Sequence, residues 1–233
     1  MKSLIQRRKP EVVTQQMKKA TTVRAQRSRI VLTMICSLWC LGVAAGMTIL
    51  WDYSNRPGPA SEPPTSWPDG SFIQRVPTSA TLLMMVHPRC PCTRTSIREL
   101  ALIMRHCRET VSTHVLFYKP VATTDDWEKT DLWNSAVAIP NVEVHTDING
   151  EEARLFGGAT SGAVVVYDAD GSLVFNGGVT GGRGHSGDNA GRSSIMSLLA
   201  GDRPVQRETF VYGCEFFNTA NGEAELSCCK ENG

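Results

Sequence analysis

Apolar residues along the chain fall into two different patterns. Residues 30–50 form an unbroken run of twenty-one positions without a formal charge, the length at which a helix crosses the hydrocarbon of a bilayer. Further on, short apolar blocks alternate with stretches of helical period. Residues 81–86 (TLLMMV) predict a buried strand, and Ile97, Leu100, Ala101 and Met104, at i, i+3, i+4 and i+7, predict an amphipathic helix. Residues 113–118 predict a second strand, 125–138 a helix carrying Trp127 and Trp133, 142–145 a third strand and 151–155 a short helix. Residues 163–167 and 173–175 flank Asp168-Ala169-Asp170-Gly171, a hairpin signal, and 189–199 predict a closing helix. Strands alternating with helices and ending in a hairpin plus helix predict an α/β fold, a mixed sheet flanked by helices.

Charge changes the picture at the N-terminus. Residues 1–29 hold nine basic residues and one acid, a net +8, against −7 for the rest of the 233-residue chain. The basic flank and the Trp51–Tyr53 aromatic pair predict an anchor over 30–51, a cytoplasmic segment over 1–29 and an extracytoplasmic (periplasmic) remainder. A cleaved signal peptide is the rival, but its small-residue site, Ala44-Ala45-Gly46, would fall inside the apolar run. Gly42 and Gly46 form a G-x-x-x-G pattern through which two anchors could pair as a homodimer; Cys36 and Cys40 receive no function. Pro57, Pro59, Pro63, Pro64 and Pro68 mark 52–70 as a stiff, extended spacer. A globular domain over 71–202 and a cysteine-containing tail over 203–233 complete the division. Near-balanced charge excludes a generally basic nucleic-acid binder, and 41% hydrophobic residues exclude global disorder.

The chemistry gathers at His87-Pro88-Arg89-Cys90-Pro91-Cys92, between the first strand and its helix. With Cys90 as N-cap, Pro91 takes the first helical position, where its missing N–H costs nothing, and the thiol meets the positive end of the helix dipole. Arg89 adds a positive charge that favours the thiolate. A structural disulfide or a metal site are the bland alternatives, since C-x-C is a weaker signal than C-x-x-C.

On this motif and element order, residues 72–202 resemble the thioredoxin-like superfamily, in its membrane-anchored, extracytoplasmic bacterial branch. The resemblance implies thiol–disulfide exchange with protein thiols or disulfides and no cofactor. It implies Cys90 as nucleophile and Cys92 as resolving thiol, one position short of the family's spacing, in a tighter ring that should raise the reduction potential. The family carries a cis-proline where this chain reads Gly158-Ala159-Thr160-Ser161-Gly162; Thr160 or Ser161 then faces the substrate alongside Pro91. Residues 177–191 should border the same groove, with Arg183 and His185 touching substrate or tuning Cys90 and Asp188 capping the last helix. The G-x-G-x-x-G in that loop is no dinucleotide site, because no βαβ unit follows it. Asp168 and Asp170 read as a plain turn, not a calcium loop.

Six cysteines lie outside the anchor and allow fifteen complete pairings. Cys214 is a candidate second resolving thiol, Cys107 a packing residue, and Cys228 and Cys229 a vicinal pair. The alternative function is a thioredoxin-like copper(I) chaperone of respiratory oxidase assembly, with Cys90, Cys92 and a histidine, His185 or His145, as ligands. A thiol peroxidase lacks its Thr-x-x-Cys arrangement here, and a purely structural receptor domain would need permanently bridged cysteines.

Overall fold

The computed structural model describes residues 10–107 and 109–217, which fall in two compact units, Met1–Asp52 and Tyr53–Gly233. The vicinal pair Cys228 and Cys229 lies outside the described residues. In the first unit runs helix α1 (Pro10–Asn55). It overshoots the expected anchor at both ends, because residues 11–29 are mostly good helix formers (Glu, Gln, Met, Lys, Ala, Arg) without Gly or Pro and the first breaker after the apolar run is Pro57. Its stretch Met17–Asn55 is long and apolar enough to cross a membrane.

The second unit follows the predicted alternation. Its elements are β1 (Ala80–Val86), α2 (Thr93–Cys107), β2 (Val111–Lys119), α3 (Asp131–Val137), β3 (Val142–Ile148), α4 (Glu151–Leu155), β4 (Ala163–Tyr167), β5 (Leu173–Gly178) and α5 (Ala190–Leu199). The sheet order is β3-β2-β1-β4-β5. β1, β2 and β3 are parallel, and β4 runs antiparallel to both β1 and β5. A mixed five-stranded sheet with this helix order is the thioredoxin-like fold.

Because β1 is central and covered on both faces, it reads as a continuous apolar run without alternation. Leu82, Met84 and Val86 pack on one face with Ile97, Leu100, Ile103 and Met104 of α2, Leu132 of α3 and Ile195 of α5. Leu83 and Met85 pack on the other with Phe156, Tyr167, Val211 and Phe216. The turn between β4 and β5 forms because Asp168 Oδ1 accepts from the backbone N–H groups of Asp170 and Ser172, while Gly171 takes a φ of 85°.

Four expectations need correction. The helix over 125–138 starts only at Asp131, because residues 124–129 are wound into short turns closed by Trp127 N–H to Thr124 and Lys129 N–H to Asp126. Helix α2 begins at Thr93, not at Pro91: the Thr93 N–H closes a turn on the Cys90 carbonyl instead. Asn189, not Asp188, caps α5, its side chain accepting from Arg192 N–H at 2.8 Å. The Pro-rich segment is no free spacer: Gly58 N–H bonds Val211, Glu62 N–H bonds Gly157, Trp67 N–H bonds Gly171, and Trp67 packs edge-on against Phe156 and Tyr167. The tail likewise lies against the domain. Asn176 of β5 pairs with it on both sides, its N–H donating to the Arg207 carbonyl and its carbonyl accepting from Thr209 N–H, and Phe216 is buried.

Candidate active site

β1 ends at Val86, and the chain then turns sharply through the cysteine motif. His87 is buried and held in place from three sides. Its ring stacks on Tyr118 at 5.6 Å and meets Trp127 edge-on at 5.5 Å, and its Nδ1 accepts from Arg89 N–H at 3.1 Å. An accepting Nδ1 belongs to a neutral ring. Burial, reinforced by Arg89 against the opposing pull of Cys90, lowers the His87 pKa to about 4. Beyond it, Thr130 Oγ1 donates to the Pro88 carbonyl and pins the turn to the start of α3.

Cys90, Cys92 and Cys214 form a buried cluster of their own, with no bond drawn between their sulfurs. Cys90 Sγ and Cys214 Sγ are 3.0 Å apart. That approach is made by backbone pairing. The Ser161 N–H donates to the Cys214 carbonyl at 2.8 Å, the Phe216 N–H donates to the Ala159 carbonyl at 2.9 Å, and Thr160 bridges Glu215 in antiparallel sense. Residues 214–216 are thus joined to residues 159–161 by an isolated antiparallel β-bridge. Gly213 permits the contact, since a Cβ there would lie 1.9 Å from the Ser161 carbonyl oxygen.

Hydrogen bonding sets the thiol acidities. The pKa of Cys90 is pulled far down, first by the Cys214 thiol and then by Cys92, with Thr93 adding to them against the cost of burial. Ser161 Oγ accepts from His87 N–H at 2.8 Å and lies 2.7 Å from Thr93 Oγ1. When the Ser161 hydroxyl donates to Thr93, the Thr93 hydroxyl is left to donate to the Cys90 sulfur. Cys92 moves the other way: Cys214 acts downward on it, but Cys90 and burial outweigh that and its pKa is raised. Acidity is therefore concentrated on Cys90, while Cys92 beside it is held toward the protonated thiol.

The remaining expected residues divide. Arg183 reaches the cluster: its Nη1 donates to the Gly213 carbonyl at 2.7 Å, and its charge acts on Cys92. Thr160 and Ser161 are both fully buried, Thr160 Oγ1 donating to the Pro59 carbonyl at 2.9 Å. Thr160 therefore faces the Pro-rich segment, whereas the Ser161 hydroxyl faces His87 N–H and Thr93. No cis peptide bond occurs among the described residues. Pro91 is exposed on the turn. The Arg89 guanidinium lies 4.8 Å from the Trp127 ring centre, and thiol and hydroxyl groups beside Cys90 favour its thiolate. His185 is exposed, with its backbone turned onto Gly182, and is not gathered with Cys90 and Cys92. The only such gathering of metal-ligand side chains among the described residues is His114, Glu143 and His145. Cys107 is buried in the α2 core, where burial raises its pKa.

His87 stood in the motif without an assigned role, Thr93 was not foreseen from the sequence, and neither was the buried acid Glu99 farther along α2. Glu99 is buried on α2, paired with Arg192 of α5 and accepting from the Gly187 N–H and the Asn189 amide. Its place seven residues beyond Cys92, on the face turned from the apolar stripe, was the available signal.

No protein-family model and no curated protein matches the chain. Among solved structures, the chain is similar to a hypothetical protein from Sinorhizobium meliloti, 15% identical over 69% of this chain and 93% of that one, with a TM-score of 0.51. An uncharacterized conserved protein from Geobacillus kaustophilus is 18% identical over 69% and 91%, with a TM-score of 0.48. A putative thiol:disulfide interchange protein DsbE from Chlorobium tepidum is 14% identical over 63% and 96%, with a TM-score of 0.39. The first of these likenesses speaks to the fold.

Proposed function

We propose that the domain performs thiol–disulfide exchange with protein partners, Cys90 being the attacking thiolate and Cys214 and Cys92 the thiols that resolve it. The contact between the Cys90 and Cys214 sulfurs at 3.0 Å, with acidity concentrated on Cys90, carries this reading. Cys90 attacks one sulfur of a partner disulfide; the other partner sulfur leaves as thiolate, and a mixed disulfide results. Cys214 or Cys92, once deprotonated, then attacks the Cys90 sulfur, forming an internal disulfide and releasing the partner as a dithiol. Two electrons pass from the chain to the partner, and the reverse sequence oxidises a partner dithiol. Arg183, held on the Gly213 carbonyl and acting on Cys92, favours deprotonation of the second thiol.

Residues 159–161 offer backbone groups to an extended segment, the strand-addition mode of peptide recognition. The chain's own residues 214–216 use them, so an incoming partner displaces this strap. The apolar stretch of α1 anchors the chain in a membrane, and the basic flank before it keeps the N-terminus on the cytoplasmic side, leaving the thiols in a disulfide-permitting compartment. Gly42 and Gly46 supply a surface on which two anchors could pair.

The test is disulfide mapping by mass spectrometry after the reduced full chain meets a stoichiometric amount of oxidised glutathione. Wild type should accumulate a Cys90–Cys214 or Cys90–Cys92 bridge, whereas the Cys92→Ser/Cys214→Ser double variant should stop at a Cys90–glutathione adduct. Glutathione retained on Cys92 or Cys214, with Cys90 untouched, would overturn the assignment.

A further inference from the structure

A second cluster of chemically capable side chains lies on the sheet away from the thiols. In the parallel pair of β2 and β3, His114 stands in register with Glu143, and His145 follows Glu143 by two positions. Alternation along each strand therefore puts all three on one face. His114 Nδ1 and His145 Nε2 are 3.1 Å apart. A Glu143 carboxylate oxygen lies 3.6 Å from the first and 3.7 Å from the second. An ion bonded to two imidazole nitrogens and a carboxylate oxygen at about 2.0–2.2 Å fits a triangle of this size.

The surroundings suit a ligand set better than a chance meeting of polar groups. Ser112, on the same face of β2, places its Oγ 3.0 Å from His114 Nε2. When that ring nitrogen donates to Ser112, Nδ1 is left as the lone-pair nitrogen turned to His145 and Glu143, the outer-shell arrangement that orients metal-bound histidines. His145 is steadied by the Phe72 ring, edge-on at 5.7 Å. Burial falls from 5% side-chain exposure at His114 through 26% at His145 to 69% at Glu143, so the cluster has a fixed floor and an open side. Two paired strands, rather than loops, hold the ligand spacing.

We propose that His114, Glu143 and His145 bind one divalent transition-metal ion of the zinc class, with a further coordination position open on the solvent side. Two imidazoles with a single carboxylate favour such an ion over calcium or magnesium, which take oxygen ligands. The ion would clasp the edge strand β3 to β2. It stands apart from the exchange chemistry, since none of its ligands belongs to the thiol cluster.

Cobalt(II) titration of the reduced full chain tests this, because cobalt reports its ligands by colour. One equivalent should bind with a visible d–d absorption and without thiolate-to-cobalt charge transfer, and zinc(II) should displace it. His145→Gln should weaken cobalt affinity at least a hundredfold and Glu143→Gln at least tenfold; both side chains reach solvent, so neither change threatens the fold. Cys90→Ser should leave the affinity unchanged. The proposal is overturned if no cobalt binds at micromolar concentration, if the bound ion carries the thiolate signature alone, or if affinity survives both His145→Gln and Glu143→Gln.

Discussion

The two clusters on this one sheet are built in opposite ways. At the end of β1, Cys90 meets Cys214, 124 positions away in sequence, under a strap that closes over the sulfurs. On β2 and β3, the buried His114 meets His145 across a strand pair, and Glu143 beside them opens to solvent. The thiols are supplied with partners by the chain itself, so internal hydrogen bonds decide which sulfur carries the charge. The imidazoles have their spacing imposed by sheet register, and their open side leaves a ligand free to approach. A cluster closed by a strap can be opened by moving the strap, whereas one fixed by register survives such a change.

Removing the thiolate should have the largest effect and should sharpen that contrast. Cys90→Ser is expected to lower the rate of exchange with oxidised glutathione by about a thousandfold or more, since the thiolate is the nucleophile and Cys92 has a raised pKa. Cobalt affinity at the His114 cluster should not change in the same variant. Residual exchange close to the wild-type rate would mean that Cys92 or Cys214 initiates attack.

Acid should reach the thiol end through His87. Its pKa falls from 6.5 in the unfolded chain to about 4 in the fold, so the stability tied to the buried neutral ring is fully present above 6.5 and is lost as pH drops through that interval, where the unfolded chain takes up a proton and the fold does not. Protonating it inside the fold costs about 3 kcal/mol by linkage. Asp147 works in the opposite direction, because burial raises its pKa to about 6 despite two backbone N–H bonds to its carboxylate. The informative quantity is therefore the difference between wild type and His87→Phe, in which Asp147 cancels. Urea unfolding should show wild type losing about 3 kcal/mol relative to the variant between neutral pH and pH about 4. A difference that stays flat would show that His87 is not held neutral.

What could be read in advance follows from which interactions leave a pattern. β1 and α2 were legible because burial on two faces makes a continuous apolar block and burial on one makes a 3.6-residue period. The straps were not, since segments such as Gly58 and Trp67 are held by backbone bonds to Val211 and Gly171, which impose no side-chain period. Asp125 to Thr130 carried tryptophan among acids, a composition that short turns satisfy as well as a helix does. Cys214 was visible as one of six thiols, but choosing its neighbour needed the pairing of residues 159–161 with 214–216. Arg183 and His185 share a glycine-rich loop and look alike in sequence, yet only Arg183 turns to the Gly213 carbonyl. His114, Glu143 and His145 sit at alternate strand positions, where their meeting depends on a register no local signal announces.

The smallest expected effect isolates the strap from the sulfur it carries. Cys214→Ser removes both the thiol that favours the Cys90 thiolate and a resolving group, so its consequences mix two causes. Gly213→Ala removes neither. Its new methyl would meet the Ser161 carbonyl oxygen at 1.9 Å, and because that oxygen belongs to the backbone, the strap must move. Displacement takes the Cys214 sulfur from Cys90, and the Cys90 pKa should climb toward the ordinary thiol value of about 8.5. Below that pH its alkylation by iodoacetamide should then become pH-dependent, having been nearly flat in wild type, while a bulky maleimide should react several-fold faster because the groove is open. The cobalt affinity of the His114 cluster should be unmoved. If Gly213→Ala leaves the alkylation profile flat, the acidity of Cys90 comes from Cys92 and Thr93, and the strap is a cover without electrostatic consequence.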